Sequence, residues 1–110
     1  MKYNIIILSE FEKEFKRLSK RYHSLKDDFI LLQKELHENP TAGVDLGKGL
    51  RKVRMAIHSK GKSHGARVIT HTVILSVEEG VINLVYIYDK AEKENISEKE
   101  IQSILKRYGF

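Results

Sequence analysis

Cysteine is absent from the 110-residue chain, so no disulfide framework, thiolate metal site or cysteine nucleophile can form. This fits a cytoplasmic protein. Long hydrophobic runs are absent too. None approaches the roughly 18 to 20 apolar residues that a membrane span needs, which argues against a membrane protein. Ile5-Ile6-Ile7-Leu8 is short and runs into Ser9-Glu10-Phe11-Glu12, with acidic residues where a signal-peptide cleavage region would lie. The most informative absence is local. Between Leu46 and Val77 there is no Asp or Glu, while Lys48, Arg51, Lys52, Arg54, Lys60, Lys62 and Arg67 all carry positive charge. That segment holds +7 against +5 for the whole chain, so everything outside it is slightly acidic. A chain that gathers its positive charge in one stretch is suited to meet a polyanion there.

With 41% hydrophobic and 32% charged residues, the composition is that of a globular domain, and the length suits one domain, residues 1–110. Tyr3 to Leu8 reads as a strand covered on both faces. Ser9 with Glu12 has capping-box spacing, and Phe11, Phe15, Leu18 and Tyr22 then fall on one helical face. Ser24 starts a second helix carrying Leu25, Phe29, Leu32 and Leu36, which the sole proline, Pro40, ends together with Asn39. Thr41 to Gly49 reads as a loop.

From Leu50 the period changes to two. Val53, Met55 and Ile57 alternate with Lys52, Arg54 and Ala56, giving a strand with one apolar and one basic face. Ser59 to Gly65 reads as a polar connection, Ala66 to Leu75 as a strand, Glu78-Glu79-Gly80 as a turn and Val81 to Tyr88 as a last strand. Ser97 with Glu100 gives a third capping box before a helix with Ile101, Ile104, Leu105 and Tyr108 on one stripe. The expected fold is α+β in the order β-α-α-β-β-β-α: a small twisted antiparallel sheet with an N-terminal helical hairpin on one face and a C-terminal helix. The place of the first strand in the sheet stays open.

Several patterns exclude more than they suggest. Lys60-Gly61-Lys62-Ser63-His64-Gly65 lacks phosphate-loop spacing and lies between strands rather than before a helix. His58, His64 and His71 lack helix-borne zinc spacing, and the surrounding cations oppose a further one, so no metal or other cofactor is expected. Tyr88, at the end of the last strand, is a better candidate than Tyr86 for stacking a base or binding a phosphate, since Tyr86 suits the core.

Three blocks resemble the RelE/ParE toxin superfamily of bacterial type II toxin-antitoxin modules, and within it the HigB-like branch. They are Leu50-Arg51-Lys52-Val53-Arg54-Met55-Ala56; Gly61-Lys62-Ser63 followed by Gly65-Ala66-Arg67-Val68-Ile69; and Tyr88-Asp89-Lys90-Ala91-Glu92 leading into Ile96-Ser97. The resemblance implies a ribosome-dependent mRNA endoribonuclease that enters the ribosomal A site and lets the ribose 2′-hydroxyl attack the adjacent phosphate without a metal. It implies Arg67 as stabiliser of phosphorane charge, Lys90 in proton transfer or charge, and Tyr88 as orienter of RNA. Lys48, Arg51, Lys52, Arg54, Lys60 and Lys62 would grip the RNA. A cognate antitoxin, of helix-turn-helix type, would be the partner. Thr70-His71 stands where relatives often carry tyrosines, and His64 where a second glycine is common, which gives His64 a possible part in RNA binding or proton transfer. The alternatives are a ParE-like inhibitor of DNA gyrase without catalysis and a basic RNA-binding module without activity.

Overall fold

The computed structural model describes residues 2–58 and 61–110, apart from the side chains of 61–63. The chain runs β1 (Lys2–Ile7), α1 (Ser9–Arg21), α2 (Leu25–Glu38), β2 (Val44–Gly47), β3 (Leu50–Ile57), β4 (Gly61–Ile74), β5 (Glu79–Asp89) and α3 (Glu98–Arg107). The expected α+β architecture is present, with the helical hairpin and the C-terminal helix on opposite sides of the sheet. The sheet order is β1-β5-β4-β3-β2, with β2 to β5 antiparallel and β1 running parallel to β5.

The structure adds one strand to the expected order, because β2 lies within Thr41 to Gly49. Gly43 explains how. Its φ is +92°, and a Cβ there would stand 2.4 Å from the Lys52 carbonyl oxygen, so only glycine lets this segment turn and lie against β3. Part of the expected connection before Ala66 also belongs to a strand, since β4 begins at Gly61. Nor is β1 covered on both faces. It is an edge strand whose Tyr3 and Ile5 pack on the core while Ile6 and Ile7 stay 45% and 44% exposed.

Two apolar layers hold the sheet. On one face Phe11, Leu18, Phe29 and Leu36 of the hairpin pack on Val53, Met55, Ile57 and Val68. On the other, Ile101, Ile104 and Leu105 of α3 join Ile69, Val85 and Tyr88. A register shift in β5 serves both layers. Ile69 pairs with Tyr86 and Thr70 with Leu84, which leaves Val85 as an extra residue. Strict alternation would put Leu84 beside Tyr86 and Tyr88. The bulge instead turns Leu84 and Ile82 to the hairpin side with Ile87, and leaves both tyrosines on the α3 side.

Of the three expected capping boxes only the last forms. Ser97 accepts from the Glu100 amide, and Glu100 reaches back to the Ser97 amide. Ser9 is instead the first residue of its helix, and its hydroxyl bonds the Tyr108 phenol, tying α1 to the end of α3. Ser24 does stand at an N-cap, but its hydroxyl donates to Asp28 rather than accepting from an amide. Spacing alone does not reveal that a distant side chain has claimed the cap.

Candidate nucleic-acid interface

The basic side of β3 and its neighbours forms a row across three strands. Arg54 stands opposite Arg67 on β4, and Arg67 opposite Tyr88 on β5. Directly paired residues of antiparallel strands bring their Cβ atoms to within about 5 Å, so two guanidinium groups share one patch of sheet. Arg54 is exposed, whereas Arg67 is only 5% exposed and donates from Nη1 to the Ala66 carbonyl oxygen at 3.1 Å. Burial, and then the nearby charge of Arg54, pull the Arg67 pKa below the ordinary arginine value; Tyr88 opposes them. The row is thus a place where positive charge is held at a cost.

Tyr88 is 2% exposed, buried in one cluster with Ile96 and Leu105, with its ring 6.3 Å from that of Tyr86. Its hydroxyl is buried and makes no hydrogen bond among the described residues. Burial raises its pKa; the charge of Arg67 and the nearby Ile96 backbone offset this in part. The expected burial of the two tyrosines is thus reversed, since α3 covers Tyr88, while Tyr86 is half-buried at the rim of the same layer and donates to Glu14 at 3.4 Å.

Lys90 is exposed in the turn that follows β5, and its amide donates to the Gly65 carbonyl at 3.1 Å. It therefore stands just past the Ala66–Asp89 pair, at the same end of the sheet as Arg67 and Tyr88. Lys52 shares the face of Arg54, but its ammonium is held by Asn95 Oδ1 at 3.0 Å. Arg51 is on the opposite face: it donates to the Thr41 carbonyl at 3.4 Å and lies 3.9 Å from Asp45. Lys48 sits with φ +54° in the β2–β3 turn, at the end of β3 away from Arg54. His64 is exposed in an irregular part of β4, between the pairs Ile57–Gly61 and Met55–Ala66. Lys60 and the Lys62 side chain fall outside the described residues. Thus Arg54, Arg67 and Tyr88 come together in one row, Lys90 stands at the same end of the sheet, Lys52 is nearby, and Arg51 and Lys48 are elsewhere.

His71 is no part of this group. It is half-buried opposite Leu50, its ring 4.8 Å from that of Phe110, and burial lowers its pKa. Among the described residues no cluster of three His, Asp or Glu side chains could hold a metal ion.

The sequence reading missed the residues that hold the turn bearing Lys90. Asp89 is fully buried on the hairpin side, accepts the Tyr22 hydroxyl at 2.5 Å, and accepts the Ala91 amide at 2.9 Å. Glu92 receives both Arg17 Nη1 and Nη2 at 3.1 Å and Arg21 Nη1 at 3.2 Å. Tyr22 reads as one more apolar residue of the helical stripe, and its hydroxyl gives no signal. Hydrogen bonding to Arg17 lowers the Glu92 pKa. Its contribution to stability is therefore complete above the unfolded value of about 4.5 and is lost as pH falls through the lower folded value. Acid titration of unfolding should show this loss, and Glu92→Gln should remove it. Because the pair is partly exposed, the effect is expected to be at most about 1 kcal/mol.

Compared with known families, residues 11–108 match the model of the RelE toxin of the RelE/RelB toxin-antitoxin system. The chain belongs to the RelE toxin family. This RelE-family chain is a toxin of a toxin-antitoxin system, and the family implies a cognate antitoxin as its partner. No curated protein matches it in sequence. Among solved structures, a double mutant of the E. coli toxin RelE in the free state is 18% identical. That alignment covers 97% of this chain and 98% of the other, with a TM-score of 0.54, so the likeness is one of fold. No described helix of the RelE-family chain is long and apolar enough to cross a membrane.

Proposed function

We propose that this toxin is an endoribonuclease that cuts messenger RNA in the ribosomal A site, in the cytoplasm. The observation that carries the reading is the Arg54–Arg67 pair: two arginines directly opposite each other on β3 and β4, one of them buried. Such a pair raises the energy of the free protein, and a phosphate placed against it lowers that energy. In the proposed reaction the ribose 2′-oxygen attacks the adjacent phosphorus, the bond from phosphorus to the 5′-oxygen breaks, and a cyclic phosphate and a 5′-hydroxyl result. The proton of the 2′-hydroxyl leaves to a base as the departing oxygen gains one. Arg67 stabilises the phosphorane charge, Lys90 serves proton transfer or charge, and Tyr88 orients the RNA, with side chains supplying the positive charge. Exposed Arg54 meets the phosphate first. Contact with Tyr88, buried in one cluster with Ile96 and Leu105, requires that layer to open locally.

Lys52, Arg54, Lys60, Lys62 and His64 supply the grip in this reading, and the antitoxin is of helix-turn-helix type, as in the HigB-like branch. Purified toxin incubated with ribosomes and a translated message is expected to cut the message. Intact message, together with loss of gyrase supercoiling activity, would overturn the reading in favour of a gyrase inhibitor.

A further inference from the structure

Lys90 is the one member of the proposed catalytic group that lies beyond the sheet, in the turn between β5 and α3. A strand fixes its side chains through its ladder; a turn does not, and an exposed lysine on a turn has much conformational freedom to lose. This turn is held from beneath by α1. The Asp89 carbonyl accepts the amides of Glu92 at 3.0 Å and Lys93 at 2.9 Å, and the Asp89 carboxylate accepts that of Ala91. The same buried carboxylate is fixed by the hydroxyl of Tyr22, the residue that follows α1 and caps its C-terminus. One residue further, Glu92 is gripped by Arg17 and Arg21 at successive turns of the helix.

We propose that Tyr22, Asp89, Arg17, Arg21 and Glu92 form a positioning brace through which α1, on the far side of the sheet, sets the place of Lys90 beside Arg67. This rests on the reading of Lys90 as a catalytic group. The chemistry favours a positioning role over a purely stabilising one. The surface pairs of Arg17 and Arg21 contribute little to folding, yet three donors converge on one carboxylate in the turn next to the proposed reacting centre. Both arms end within two residues of Lys90.

The test is a double-mutant cycle in the full-length toxin with ribosomes and message. Tyr22→Phe, which deletes one oxygen, is expected to lower kcat by about 10- to 100-fold with KM little changed, since small misplacements of a catalytic group cost that much. Glu92→Gln should act in the same direction, and amide exchange at Ala91, Glu92 and Lys93 should quicken in both variants. On a Lys90→Ala background, followed by its residual rate, Tyr22→Phe should cause no further loss. If it costs the same with and without Lys90, or raises KM and spares kcat, the brace is overturned while the endoribonuclease reading stands. If the unaltered toxin cuts no message, that reading fails and the brace falls with it.

Discussion

Arg67→Ala is expected to slow cleavage of a translated message by about 10²- to 10³-fold, the loss found when one preorganised donor to a developing charge is removed. The effect should appear in kcat, because the guanidinium is buried and meets the phosphate fully only as charge grows on it. Arg54→Ala, removing an exposed partner, should weaken binding more than turnover. Arg67→Lys should recover only part of the rate, since an ammonium keeps the charge but loses the planar fork that binds two oxygens at once. Stability gives the control. A charge held below its usual pKa by burial and by Arg54 opposes folding at every pH where it stays protonated. Removing it should therefore leave the denaturation midpoint little lowered, and a large drop in that midpoint would assign Arg67 to the fold instead of the reaction.

Phe11→Ala is expected to cost about 3 to 5 kcal/mol of folding stability, measured by urea unfolding. Phe11 has no exposed surface, and its ring centroid lies 5.4 Å from that of Phe29 and 6.0 Å from that of Phe15. It joins α1 to α2 and both to the sheet, so the cavity left behind has walls on three sides that cannot all move inward. A domain of this size has about 5 to 15 kcal/mol to lose, so the loss is a large share of its stability. Phe15→Ala, at a half-buried position beside an open groove lined by Ile7 and Phe29, should cost clearly less.

What could be read from the sequence follows from how local each signal is. The α1 and α2 stripes and the alternation of Val53, Met55 and Ile57 with Lys52 and Arg54 depend only on helical or strand period, and both appear as expected. No local pattern marks the strand register that sets Arg67 opposite Tyr88, because it depends on the hairpin and the bulge at Val85. Strand β2 stayed hidden because four residues with two glycines nearby look like a loop until Lys52 is seen packed against Gly43. Arg51 was grouped with its neighbours by charge, although its parity on β3 sends it to the other face. The brace beneath Lys90 joins residues far apart in the chain, and neither Tyr22 nor Glu92 carries a sign of it in its own surroundings.

The parallel pairing of β1 with β5 has a consequence for the ribosome that makes this toxin. Lys2 meets Glu79 and Ile7 meets Leu84, so the first strand to emerge finds its neighbour only when the last strand has been synthesised. Such distant pairings form late, after the loop-closure cost has been met by other contacts. Tyr88 and Lys90 belong to that same last strand and its turn, and the α1 residues that hold the turn wait with β1. In a nascent chain the basic β3–β4 hairpin therefore emerges before β5, and the proposed catalytic group is assembled only once β5 and its turn have followed.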